Sequence, residues 1–217
     1  MNYRHKWNDS GSSATTISLF YDGSSGSAFS SVYSRGSGDS RNINNEAGST
    51  SRNRSLIFVP ADASQINLID YTLSSGVVVT AAQQWENLDA LISADASLDS
   101  RRGQYAEKNS SRLPFVHMLD LAIRQDIGTN VGGRNHKLQL SLDIFNLGNF
   151  LNKNWGTRYT VPGGNPYNEL IQFEGYDADG TTPQFTYRDE DLGTDRLNIS
   201  DFSSRWSGRL GIRYIFD

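Results

Sequence analysis

The sequence contains no cysteine, which excludes a disulfide framework and any thiolate-held metal. It has no uninterrupted apolar run of about 18 residues, so no transmembrane helix is expected. That absence leaves membrane strands open: a strand crosses with about 9–11 residues, and only every second one faces lipid. The formal charge is −4, which gives no reason to expect a nucleic-acid partner. The opening Met-Asn-Tyr-Arg-His-Lys-Trp has no apolar stretch after its charges, so it does not read as a signal peptide. A surface protein without one is a mature form or a fragment, and a fragment is expected here.

What is present is length, 217 residues, enough for one sizeable domain, and a mixture rich in Gly, Ser, Asn and aromatics at low mean hydropathy. That mixture fits an outer-membrane β-barrel and also a secreted β-sandwich. Periodicity locates the strands. In 205–216 the even positions Trp206, Gly208, Leu210, Ile212, Tyr214 and Phe216 are apolar or small, and the odd positions include Arg205, Arg209 and Arg213. Side chains of a strand alternate between faces, so this is an amphipathic strand. Segment 115–127 repeats the pattern, with Phe115, Leu119, Leu121, Ile123 and Ile127 opposed to Asp120, Ala122, Arg124 and Asp126. Residues 128–135 read as a turn, and 137–146 alternates again, giving a hairpin. A second hairpin is expected from 17–22, a turn at Gly23–Gly26 and a return through Phe29 and Tyr33; residues 2–7 look like one further strand.

About six antiparallel strands result. Their turns at one end are short, whereas 36–113 and 150–203 are long. That asymmetry favours a membrane barrel with short periplasmic turns and long extracellular loops over a sandwich. The expected fold class is therefore all-β: part of a transmembrane barrel, with one short loop helix. Tyr21 and Phe29 beside the Gly23–Gly26 turn, with Tyr214 and Phe216, are expected to form the periplasmic aromatic girdle.

Within the first loop, 36–54 is polar and expected to be mobile, and Pro60 stops the apolar run 56–60 from extending as a strand. Thr80-Ala81-Ala82-Gln83 fits a capping box, and Trp85, Leu88, Leu91 and Ile92 at helical spacing predict a helix over Ala81–Ala94 that covers its own loop. The second loop holds three segments able to form short strands, 154–161, 169–176 and 184–188, expected to extend the barrel wall. Asp177-Ala178-Asp179-Gly180 opens like a calcium loop, but Thr181 and Arg188 stand where ligands are needed, so a tight turn is the better reading. Trp85, Trp155, Tyr159, Tyr167 and Tyr176 are candidates to stack on a sugar or peptide ligand; they serve equally to pack the loops. His5, His117 and His136 are scattered, and Asp120, Asp126 and Asp143 sit near Arg124 and Lys137, where charges pair with one another. No enzyme, cofactor or metal centre is expected.

Several stretches resemble the C-terminal end of Bacteroidetes-type TonB-dependent receptors, in particular the Oar-like group with an N-terminal carboxypeptidase-regulatory-like domain. They are 56–60 (Leu-Ile-Phe-Val-Pro), 102–109 (Arg-Gly-Gln-Tyr-Ala-Glu-Lys-Asn), 119–126 (Leu-Asp-Leu-Ala-Ile-Arg-Gln-Asp), 141–149 (Ser-Leu-Asp-Ile-Phe-Asn-Leu-Gly-Asn) with Asn154-Trp-Gly156, and 208–216 (Gly-Arg-Leu-Gly-Ile-Arg-Tyr-Ile-Phe). The resemblance implies a 22-stranded barrel plugged by an N-terminal domain, taking up a bound ligand with energy passed through TonB. It implies that 115–127 and 205–216 run toward the periplasm and that the latter closes the barrel. Trp206, Leu210, Ile212, Tyr214 and Phe216 would face lipid and form the signal for the barrel-assembly machinery. The partners implied are outer-membrane lipid, the rest of the barrel, the plug, and TonB through an N-terminal part. This sequence lacks the plug, the TonB box and most of the barrel, and places Asp217 after the usual terminal aromatic. The alternatives are a porin, an adhesin, or a secreted glycan-binding sandwich.

Overall fold

The computed structural model describes residues 1–35, 54–161, 164, 166–188 and 197–216. The expectation of mobility over 36–54 falls outside the described residues, except for Arg54. In chain order the strands are β1 (Asn2–Lys6), β2 (Ala14–Ser24), β3 (Ala28–Arg35), β4 (Phe58–Val59), β5 (Tyr71–Thr72), β6 (Val78–Val79), β7 (Gln104–Tyr105), β8 (Ser111–Arg112), β9 (Val116–Val131), β10 (Arg134–Phe145), β11 (Tyr159–Thr160), β12 (Tyr167–Tyr176), β13 (Pro183–Thr186), β14 (Asn198–Ile199) and β15 (Ser207–Phe216). The α-helices are α1 (Ala81–Ala94), α2 (Ala96–Asp99), α3 (Leu147–Leu151) and α4 (Asp201–Ser204). The protein is all-β overall.

The chain divides into two compact units: residues 1–25, 114–158 and 199–217 form the first, and 26–113 with 159–198 the second. The first is an open antiparallel sheet in the order β1-β2-β9-β10-β15. It is not closed into a barrel. The alternation read from 115–127, 137–146 and 205–216 produces two long pairings, β9 with β10 and β10 with β15, and Leu138 sits opposite both Ile127 and Tyr214. The turn is tighter than 128–135. β9 continues to Val131, and only Gly132 and Gly133 lie between the strands, at φ +61° and +80°. A two-residue turn with positive φ at both positions matches the twist of the flanking strands, and glycine adopts it without a Cβ clash.

The expected second hairpin does not form. β2 pairs with β1 on one side and β9 on the other, while β3 belongs to the second unit, so the first sheet has five strands instead of six. Gly23–Gly26 is a crossing, not a turn. A Cβ on Gly26 would strike the backbone of Leu113, whose N–H donates to Ser27 O at 3.1 Å. Glycine there serves a close approach. The girdle expectation changes with it: Tyr21 lies opposite Leu119 near the far end of the sheet, whereas Phe216 lies opposite His136 beside the short turn.

The described parts of 26–113 and 159–198 carry regular structure of their own. They form a mixed four-stranded sheet, β13-β12-β3-β8, in which β12 runs parallel to β3. Segments 169–176 and 184–188 thus do not extend the first sheet; they pair with each other and with β3. A core of Tyr33, Ile57, Val59, Leu88, Ile92, Leu98, Leu170, Ile171, Phe173, Phe185 and Tyr187 lies within this unit. Helix α1 spans the residues its sequence signals announce. Gln83 N–H donates to Thr80 Oγ1 (3.3 Å) and Thr80 N–H to Gln83 Oε1 (2.9 Å), satisfying two end donors reciprocally. Its buried stripe is Gln84, Leu88 and Ile92.

Gln84 is a buried amide that the apolar spacing did not single out. Its Nε2 donates to Ile69 O (2.8 Å) and its Oε1 accepts from Tyr187 N–H (2.9 Å). Gln84→Leu keeps the volume and orphans both backbone groups, so it is expected to cost about 2–3 kcal/mol, read as a lower urea midpoint; no change would mean water replaces the amide.

Tyr33 stacks on Phe185 with centroids 5.4 Å apart, and its hydroxyl accepts from Phe58 N–H at 3.1 Å. Burial pushes this phenol up from its ordinary value to about 12. Below the unfolded value near 10 both states hold the proton and nothing changes. Between there and 12 the unfolded chain releases a proton that the folded one keeps. Stability therefore falls with rising pH, by on the order of 2 kcal/mol. Urea unfolding across that window checks it, and Tyr33→Phe should flatten the slope.

Candidate functional site

The five-stranded sheet has two chemically different faces, because directly opposed residues of antiparallel strands share a face. One register row reads Tyr3, Ile17, Ile123, Leu142 and Leu210 across all five strands. The next reads His5, Thr15, Gln125, Leu140 and Ile212. Leu19, Leu121 and Ile144 form a third, and Ile127, Leu138 and Tyr214 a fourth. On the opposite face the rows are Lys6, Ala14, Asp126, Gln139 and Arg213, then Arg4, Thr16, Arg124, Ser141 and Gly211, then Asn2, Ser18, Ala122, Asp143 and Arg209.

None of the apolar side chains in the first four rows is buried, whereas two carboxylates on the opposite face are. Leu140 is 39% exposed, and on the edge strand Leu210 and Ile212 are 83% and 78% exposed; Asp126 and Asp143, on the polar face, are 8% and 7%. The buried carboxylates are paired. Asp143 accepts from Arg209 Nη2 at 2.9 Å, with Arg124 at 3.5 Å. Asp126 meets Lys137 Nζ at 3.1 Å and accepts from Gln139 Nε2 at 2.8 Å. Removing one partner of a buried pair costs more than forming it contributes, because the remaining charge is stranded.

Each end of the apolar face carries a hydrogen-bonded Tyr–His pair: Tyr21 Oη with His117 Nδ1 at 2.7 Å, and Tyr214 Oη with His136 Nδ1 at 2.6 Å. Phe115 packs on His117 with centroids at 4.7 Å, and Phe216 on Tyr214 at 5.9 Å. Leu210, Ile212, Tyr214 and Phe216 lie on one face of β15, as parity predicts. Trp206 immediately precedes the strand and stands edge-on to Phe150 at 4.8 Å.

Where β10 ends, Asn146 holds the strand ends together. It adopts left-handed φ +53°. Its N–H donates to Asp120 Oδ1 at 2.8 Å, and its Nδ2 donates to Gly156 O at 3.0 Å and Ser204 O at 2.7 Å. Gly156, at φ +61°, lies so close that any Cβ would run into the Asn146 amide. The Asn146…Gly156 pattern quoted from the sequence is thus a structural joint. The Arg102-Gly-Gln-Tyr stretch is another, in the second unit. Arg102 bridges Asp89 of α1 (2.7 Å) and Asp99 of α2 (2.8 Å). Gly103, at φ +75°, turns its N–H onto Val59 O, and Tyr105 stands edge-on to Phe58.

The five aromatic ligand candidates do not converge. Trp85 is half-buried against the main core of the second unit. Tyr159 is half-buried against the cluster of Phe29, Leu113 and Val161. Tyr167 lies under the Arg54 guanidinium at 4.9 Å. Tyr176 is exposed and edge-on to Phe173. Trp155 is exposed and belongs to the first unit. At 177–182 a tight turn forms: Gly180 N–H donates to Asp177 O, and Asp179 accepts from the Thr181 and Thr182 N–H groups, all at 2.8 Å. The Thr182 hydroxyl, followed by those two N–H groups, holds the Asp179 carboxyl well below the usual carboxylate range. Among the described residues no cluster of three or more His, Asp or Glu is arranged to hold a metal ion. No helix among the described residues is long and apolar enough to cross a membrane, which says nothing of strands. No family model, curated protein or solved structure matches this chain.

Proposed function

We propose that this chain is the C-terminal part of an outer-membrane β-barrel, of the TonB-dependent receptor type it resembles, whose first unit crosses the membrane. The observation that carries the reading is the apolar face of the sheet, which nothing in the first unit covers. No apolar side chain of that face's register rows is buried within the sheet, while Asp126 and Asp143 on the other face are buried and paired. In a sandwich the inward face would be the apolar one; a barrel in lipid reverses this. Dimensions agree. The two tyrosines lie eight register positions apart (Leu119 to Ile127) and the two histidines twelve (His117 to Thr129). At about 3.3 Å per residue and a tilt near 40° these separations span roughly 20 and 30 Å, bracketing an apolar band of about 25 Å.

On this reading the Gly132–Gly133 turn faces the periplasm, and β15 serves the barrel-assembly machinery and pairs onward with the rest of the barrel. Transport would need a plug and TonB contact supplied by other parts of the receptor. The ligand is a solute bound from outside. A porin or adhesin shares the barrel and lacks the plug, so the adjoining coding sequence separates them. The localisation test is fractionation of native cells. The expected result is recovery with the outer membrane and resistance to alkaline extraction; recovery as a freely soluble protein overturns the proposal.

A further inference from the structure

One group of exposed apolar side chains in the first unit lies outside the register rows of the sheet. Between β10 and β15 the chain makes the short helices α3 and α4, and the side chains there point into the open. Phe202 is 96% exposed, Leu151 64%, Trp155 57%, Phe150 50% and Trp206 46%. The backbone beneath them is fixed. Asn146 Nδ2 binds Ser204 O and Gly156 O. Arg158 N–H donates to Ser204 Oγ at 2.9 Å and Ser200 N–H to Arg158 O at 2.8 Å. A firmly held scaffold that presents aromatic and aliphatic groups outward is costly in water, about 25 cal/mol for each Å² of apolar surface, and marks an interaction surface.

Two observations say what covers it. The patch is continuous with the apolar face, because Phe150 packs edge-on against Trp206, which leads directly into the strand carrying Leu210 and Ile212. Cations border it: Lys153 is exposed, and Arg205 is 75% exposed with Asp201 only at 3.9 Å. Aromatic rings among aliphatic groups, rimmed by cations, match the boundary between acyl chains and headgroup phosphates.

We propose that α3 and α4 form an interfacial lipid anchor. Phe150, Leu151, Trp155, Phe202 and Trp206 sit at the headgroup–acyl boundary on the side away from the short turns, with Lys153 and Arg205 against lipid phosphates. This rests on the membrane reading of the sheet. It gives Trp155 to lipid instead of to a transported ligand, and it fixes the depth of β10 and β15 through the Asn146 joint.

The absence of cysteine makes a single introduced thiol a unique labelling site. The full chain is reconstituted in phosphatidylcholine–phosphatidylglycerol bilayers with a nitroxide at Leu151→Cys, Phe202→Cys, Leu140→Cys or Glu107→Cys, and depth is read from the ratio of oxygen to nickel-complex accessibility. The expected order is Leu140→Cys highest, Leu151→Cys and Phe202→Cys intermediate, Glu107→Cys lowest. If Leu151 and Phe202 match Glu107 while Leu140 stays high, the anchor is overturned, the membrane reading stands, and the patch is left for a protein partner. If they match Leu140, the boundary placement is wrong. If Leu140 itself matches Glu107, the membrane reading fails and the anchor with it.

Discussion

Leu140→Arg is expected to destabilise the sheet in a bilayer by about 2–4 kcal/mol, and Leu121→Arg by a similar amount, because each places a guanidinium near the middle of the apolar band. Leu140 sits in the row His5, Thr15, Gln125, Leu140, Ile212, two register positions from the midpoint row of Ile123 and Leu142, and Leu121 lies two positions to the other side of that midpoint. The same substitution at a 39% exposed side chain in water is expected to cost within about 0.5 kcal/mol. The two readings therefore differ by more than the error of a urea titration. Arg124→Leu on the polar face is the control. It costs less because Asp143 keeps Arg209 at 2.9 Å. Equal tolerance at positions 140 and 124 would count against a lipid-facing sheet.

Asn146→Ala carries the second large effect, about 3–5 kcal/mol. The substitution strands the Gly156 and Ser204 carbonyls, each worth on the order of 1–3 kcal/mol when left unpaired in a buried place. It also removes asparagine from a left-handed φ that alanine resists by about 1–2 kcal/mol. Gly156→Ala attacks the same joint from the other side and should cost a comparable amount, through its own positive φ and the collision with the Asn146 amide. Because they break one structure, the double variant should lose much less than the sum. Urea unfolding of the full chain measures all three. Full additivity would show that the two residues act separately, and a loss under about 1 kcal/mol would mean that water fills the joint.

The parts of this fold legible in the sequence are those set by neighbours. The boundaries of α1 follow from Thr80 and Gln83 satisfying each other's backbone three residues apart. The strands β9, β10 and β15 follow from strict alternation, and so does the face to which Leu121, Leu140, Ile212 and Phe216 belong. The tight turn at 177–182 follows from Asp179 bonding its own backbone. Gln84 was not legible as a core group, since a polar residue on an apolar stripe declares itself only when the backbone of Ile69 and Tyr187 is brought to its amide. Nor could the role of Gly26 be read, because a glycine kept for close approach to Leu113 looks the same as one kept for a turn.

By itself, then, the sequence determined where the strands alternate and which residues share a face, because the pleat has a period of two and needs no distant information. Only the tertiary structure decided that β3 leaves β2 to run parallel to β12, and that the described parts of the two long insertions build a core of their own. Those outcomes depend on pairings between residues more than a hundred positions apart. Two faces can be written into one strand, but which of them is covered is settled by what the rest of the chain brings to it.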